Sequence, residues 1–193
     1  MGDVLNSTFF VWLNQIDADL LMSLQNNFSH PVLDSFFSTV TDLHKYSGFI
    51  LLVIVPLLVW WVWKERRLGL FKLGGLVFTL LIIDTVCGQV LKKGIARERP
   101  FVLFQDIVQK SPASGYSFVS NHAANMAGLA FFLSHFYPRW AALWWGIALI
   151  IGLSRVYNGV HFFSDVMAGA LVGTFISWLV TRWLDKRLKG NKT

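Results

Sequence analysis

Cysteine is almost missing from this 193-residue chain: the single Cys87 excludes an internal disulfide and sits in an apolar run, so redox compartment stays unread. Charge is scarce as well. Only 15% of residues are Asp, Glu, Lys or Arg, against about 25% in an ordinary soluble domain. No low-complexity tract occurs, and no linker separates two domains. There is also no long basic run of the kind that follows a nucleic acid, so the net charge of +6 must be read from where the cations fall. The N-terminus, MGDVLNSTFF, lacks the basic flank and small-residue cleavage site of a secretory signal. Insertion is expected to rely on internal apolar segments. What the chain has in quantity is apolar side chain: 54% hydrophobic residues, seventeen Phe and nine Trp, with a mean hydropathy of +0.52.

Five segments reach or approach the roughly 20 residues that cross a bilayer. They are 46–63, 70–91 (interrupted by Lys72 and Asp84), 120–137, 140–157 (ending at Arg155) and 161–181. Gly169 and Gly173 in the last form a small-xxx-small pair that admits a neighbouring helix closely. Residues 6–28 mix apolar and polar positions at helical spacing around Asp17 and Asp19, which predicts an interfacial helix. A second is expected over 31–44, with Pro31 in its first turn. The alternative makes residues 6–28 a sixth span. The expected fold is thus an all-α integral membrane helical bundle of five or six transmembrane helices. Residues 1–45 form the N-terminal interfacial part and 46–193 the transmembrane core.

Threading five spans sorts the charges by side. Lys64, Arg66, Arg67, Lys72, Arg139, Arg182, Lys186, Arg187, Lys189 and Lys192 fall on one face with only Glu65 and Asp185, a balance of +8. The other face carries seven basic and eight acidic residues. The positive-inside rule makes the +8 face, and with it the C-terminus, cytoplasmic. Eight of the nine Trp lie toward that face, as an aromatic belt requires. The positive charge is therefore a topology signal, and no nucleic-acid partner is expected.

The same threading brings three segments together at the extracytoplasmic face. The second span ends with Lys92 and Arg99, the third begins with Ser120, Asn121 and His122, and the turn before the fifth supplies Arg155, His161 and Asp165. Charged groups beside lipid are costly and mark function. Three converging cations suit a multiply charged anion, with guanidinium matching phosphate oxygens. Ser120 can cap the third span and leave the N–H groups of Asn121 and His122 at a helix N-terminus, which favours phosphate. His161 and Asp165 are four apart and share a helix face, so the carboxylate is expected to take the Nδ1–H and leave Nε2 free as a nucleophile. His122, from another helix, can supply a proton to a leaving group. Lys93 and Arg97 are read as headgroup contacts, and His30, His44 and His135 as hydrogen-bonded structural residues. A metal site on His122, His161 and Asp165 is the competing arrangement, opposed by the repulsion of three cations, so no metal or other cofactor is expected. Asp84 is read as bonding a neighbouring helix.

The spacing Lys92–x6–Arg99–Pro100, then Ser120–Asn121–His122, then Ser154–Arg155–x5–His161–x3–Asp165 resembles the three-part signature of the type 2 phosphatidic acid phosphatase superfamily. The resemblance covers about residues 70–185. It implies a helical bundle and a metal-independent phosphatase. In the implied mechanism His161 attacks phosphorus, Asp165 orients it and His122 protonates the leaving oxygen. Lys92, Arg99, Ser120, Asn121 and Arg155 hold the phosphoryl oxygens. Two positions depart from the usual Pro-Ser-Gly-His: Val119 stands for Pro and Asn121 for Gly.

The expected protein is a membrane lipid phosphatase of a bacterial inner membrane, opening toward the periplasm or exterior. Its substrate would be a polyprenyl diphosphate, phosphatidylglycerophosphate, phosphatidic acid or lipid A phosphate, with membrane lipids as its surroundings. The rivals are a phosphatase of a small soluble phosphoester such as a sugar phosphate, and a non-catalytic anion-binding or transport protein.

Overall fold

A computed structural model describes residues 8–190, and every regular element in that range is helical. Residues 6 and 7 of the first expected helix, Lys192, and the side chain of His44 lie outside what is described. The chain opens with α1 (Thr8–Phe28) and α2 (Pro31–Asp42). A continuous helical run, α3 (Ser47–Glu65), then leads into α4 (Arg67–Asp84). A π-helical stretch (Thr85–Leu91) extends α4 into a last turn, Lys92–Ile95. After the short α5 (Pro100–Leu103) come α6 (Asn121–Phe136), α7 (Ala141–Tyr157) and α8 (Phe163–Gly190).

Among the described residues, four runs have the length and apolarity to cross a membrane: Ser47–Glu65, Arg67–Leu103, Pro138–Tyr157 and Phe163–Lys189. The third expected segment forms α6, but with 16 residues it is shorter than a full span. Its apolarity has a different cause. Ala123, Ala124, Ala127, Gly128, Ala130 and Phe132 are buried, because α6 is the central helix against which α4, α7 and α8 pack. Small residues let the backbones touch. A Cβ on Gly169 would lie 2.5 Å from the Ser120 carbonyl oxygen, and one on Gly173 would collide with the Ala124 carbonyl. The small-xxx-small pair thus fixes α8 against the first turns of α6.

The N-terminal helices pack onto this core. On α1, Asp17, Ala18, Leu21 and Gln25 form one buried stripe, while Val11, Trp12, Ile16 and Leu20 are exposed on the other side. Ala18 and Leu21 join Ile107, Val156 and Phe162 in one hydrophobic cluster. Gln25 clamps the chain between its donated bonds to the carbonyls of Val108 (2.8 Å) and Tyr157 (3.0 Å). His30 caps α2 by accepting the Val32 N–H, and the Phe37 ring lies 4.6 Å from that of Tyr157. At the far end of the bundle, Lys72 donates to Glu65 (2.6 Å) and Tyr137 (3.1 Å), and Trp61 donates to the same Tyr137 hydroxyl (2.5 Å). Tyr137 in turn donates to Glu65, closing a network that ties α3, α4 and the end of α6.

Candidate active site

Three helix ends build the site. α4 terminates because Ala96 turns left-handed (φ 53°), and the chain then runs extended to Arg99, which precedes Pro100 at the start of α5. Extended backbone alternates its side chains. Arg97 and Arg99 are both buried, and Glu98 between them is exposed. Ser120 is the N-cap of α6, its hydroxyl accepting the Ala123 N–H at 3.5 Å. The Ser120 N–H donates to the Asp165 carbonyl (3.1 Å), which sets the start of α6 beside the first turn of α8. α7 ends at Tyr157, and a tight turn through Gly159 (φ 69°) delivers His161 just before α8. Glycine is required there, since a Cβ would collide with the Val108 carbonyl.

His161 is buried, with Nε2 3.3 Å from Nη1 of Arg99. Three backbone carbonyls hold the Arg99 guanidinium: Val160 (2.6 Å), Ser114 (2.8 Å) and Gly115 (2.9 Å). Arg155 is 3% exposed, donates to the Thr41 hydroxyl at 2.8 Å, and has no partner for its Nε. No hydrogen bond or ion pair among the described residues engages the Lys92 ammonium. The three predicted cations therefore gather with no carboxylate bound to any of them, and they lie within Coulombic reach of one another. Burial is the main cause that pushes the His161 imidazole down to about 4, against the opposing pull of Asp165. The ring is neutral at neutral pH, the state a nitrogen nucleophile needs.

Two expectations change. The His161 Nδ1 stands 3.7 Å from Oδ2 of Asp165, beyond a direct hydrogen bond. The Ser117 hydroxyl lies between them, 3.4 Å from Nδ1 and donating to the same Oδ2. Arg97 is not a headgroup contact. Its side chain is 2% exposed and donates to Oδ1 of Asp165 at 2.6 Å, because an extended segment turns every second side chain inward. Ser117 carried no sequence signal beyond being a loop serine. For Arg97 a signal existed: Asp17 falls on the buried stripe of α1, where a carboxylate needs a cation.

The other positions fall as follows. Asn121 and His122 are the first two residues of α6. The Asn121 amide turns toward Asp84 (3.4 Å), which also accepts from Asn125 (2.8 Å), so Asp84 bonds a neighbouring helix. Lys93 is exposed. His135 faces Asp185 at 3.1 Å. No three His, Cys, Asp or Glu side chains among the described residues are grouped to hold a metal ion. These residues can gather a multiply charged anion next to a neutral imidazole nitrogen.

A family model, that of the PAP2 superfamily, matches residues 72–189. The chain is 28% identical over 188 residues to the lipid A 4'-phosphatase of Porphyromonas gingivalis, covering 90% of this chain and 78% of that one. It is 31% identical to phosphatidylglycerophosphatase B of Bacillus subtilis, covering 82% and 78%. Among solved structures, Aquifex aeolicus LpxE superposes with a TM-score of 0.70 at 30% identity, covering 85% of this chain and 93% of that one.

Proposed function

The chain belongs to the PAP2 superfamily, and on that premise we propose that it is a membrane lipid phosphatase that hydrolyses a lipid phosphate or diphosphate through a phosphohistidine on His161. The observation that carries this reading is the cluster of Lys92, Arg99 and Arg155, none bound to a carboxylate and all within Coulombic reach of one another, with Arg99 3.3 Å from Nε2 of the buried His161. The site has positive charge to spare only until a phosphoryl group occupies it.

In the reaction, Nε2 of His161 attacks phosphorus and the bond to the lipid oxygen breaks. His122 gives its proton to that oxygen as it leaves. Asp165 and Ser117 steady the far side of the ring as positive charge develops on it. Lys92, Arg99 and Arg155, with Ser120 and the N–H groups of Asn121 and His122 at the start of α6, hold the non-bridging oxygens and stabilise their transition-state charge. Water then attacks the phosphohistidine, loses a proton to His122, and releases phosphate with His161 restored. No step calls on a metal, and three cations would repel one.

We place the pocket at the extracytoplasmic side of a bacterial inner membrane, with the C-terminus cytoplasmic, from the excess of Lys and Arg at the other end. In this arrangement α3, α4, α7 and α8 cross, α6 is a fifth, shorter crossing inside the bundle, and α1 and α2 lie at the interface as the N-terminal part up to residue 45. The substrate reaches the pocket sideways, its tails staying in the bilayer.

The test is phosphate release by the purified protein in detergent. Candidate substrates are lipid A phosphate, phosphatidylglycerophosphate, phosphatidic acid and polyprenyl diphosphate, with a sugar phosphate beside them. Release from at least one lipid, with acid-labile label trapped on the protein and absent from His161→Ala, is expected. Turnover confined to the sugar phosphate, or turnover that persists in His161→Ala, overturns the reading.

A further inference from the structure

The mechanism uses one carboxylate of the site, yet two are buried beside it. Asp17 of α1 and Asp165 share the guanidinium of Arg97, and the three side chains are 4%, 0% and 2% exposed. Every donor of Arg97 is occupied. Nη1 donates to Oδ1 of Asp165 (2.6 Å) and to Ser164 (2.7 Å). Nη2 donates to Asp17 (2.8 Å) and Asn14 (2.7 Å), and Nε to Asn14 (2.9 Å). Asp17 also accepts the backbone N–H of Ser164 (3.1 Å), in the first turn of α8. The Phe162 ring covers the guanidinium at 4.0 Å. A charge with all five N–H groups used has no capacity left for substrate.

We propose that Arg97 and Asp17 are positioning residues that act on His161 through Asp165, so that α1, outside the matched family region, is a working part of the active site. Arg97 claims one oxygen of Asp165 and leaves the other to Ser117 and the imidazole. Asp17 offsets the charge of Arg97, so the field reaching His161 from that side stays net negative, which favours the positive charge it acquires on phosphorylation. The other charged groups that act on Asp165 or His161 are Lys92 and Arg99 from the α4 side and Arg155 from α7, with Asp42 behind it; His122 opens α6. All of these stay unchanged in the variants below.

This inference rests on the phosphatase reading, which the His161→Ala control tests separately. With a lipid phosphate that the parent turns over, kcat/KM is measured against pH for Arg97→Gln, Asp17→Asn and the double variant. Removing the cation should raise the acid limb by about one pH unit and lower kcat about 100-fold, with KM within about threefold. Removing the anion should move the limb down by about half a unit. The double variant should return the limb to within about 0.3 units of the parent and regain about tenfold in kcat over Arg97→Gln, since opposite charges cancel. Limbs that stay put while losses in the double variant multiply would mean a purely structural tie and overturn the proposal. If Arg97→Gln does not fold in detergent, Asp17→Asn and Arg97→Lys decide. The first should lower the limb and the second leave it in place; an unmoved limb in Asp17→Asn overturns the proposal.

Discussion

The two ends of this bundle both bury charge, and they treat it in opposite ways. At the end of α3, Glu65, Lys72, Tyr137 and Trp61 close a network in which the cation meets an anion and the phenol bonds both. At the other end, Lys92, Arg99 and Arg155 stand together with carbonyls, one hydroxyl and the His161 ring for company, and no carboxylate bound to any of them. A compensated pair fastens helices and asks nothing of the surroundings. An uncompensated cluster is unstable on its own terms and becomes favourable when an anion arrives. The difference separates a fastening from a binding site without reference to any motif.

The contrast can be broken most sharply at Arg155. Arg155→Met should lower kcat/KM by about 10²- to 10³-fold, the range for losing a donor to transition-state charge. Its thermal stability in detergent should hold or rise, because a buried, half-partnered cation is removed. A variant that unfolds while the remaining folded fraction keeps full activity would reverse the assignment. His122→Ala sharpens the chemistry within the same end. Turnover of an alkyl lipid phosphate should fall about 100-fold or more, and that of an activated aryl phosphate by no more than about tenfold. Equal losses on both would remove His122 as the proton donor. The smallest effect on activity is expected at the opposite end. Glu65→Gln should leave kcat/KM within about twofold and cost about 1–3 kcal/mol of stability, read as a lower melting temperature, by weakening a partly buried pair.

Much of this was legible in the sequence because it rests on local rules. Helix ends follow from apolar runs broken by charge, so Lys92, Ser120, Arg155 and His161 could be assigned to one face before any contact was known. Gly169 and Gly173 announced a close crossing that α6 supplies. Other features depend on contacts between segments distant in sequence. Whether Arg97 faces headgroups or Asp165 is decided by Asp17, 80 residues earlier in the chain. That Ser117 stands between His161 and Asp165 depends on the path of a loop, which no periodicity describes. Hydropathy also does not separate a helix bathed in lipid from one wrapped in other helices, and α6, read from sequence as reaching or approaching a span, is packed on by α4, α7 and α8.

The brevity of α6 has a bearing on what can reach the pocket. Sixteen residues rise about 24 Å, whereas the hydrocarbon layer is about 30 Å thick. In the orientation proposed above, with the turn Pro138–Trp140 at the inner interface, the helix would stop about one turn below the outer headgroup plane. In that orientation a phosphate would sink beneath its neighbours' headgroups to meet His161, a descent that strips it of water. Acyl or prenyl tails drawn deeper into the oil favour that descent, and a tailless ester has nothing to pull it down.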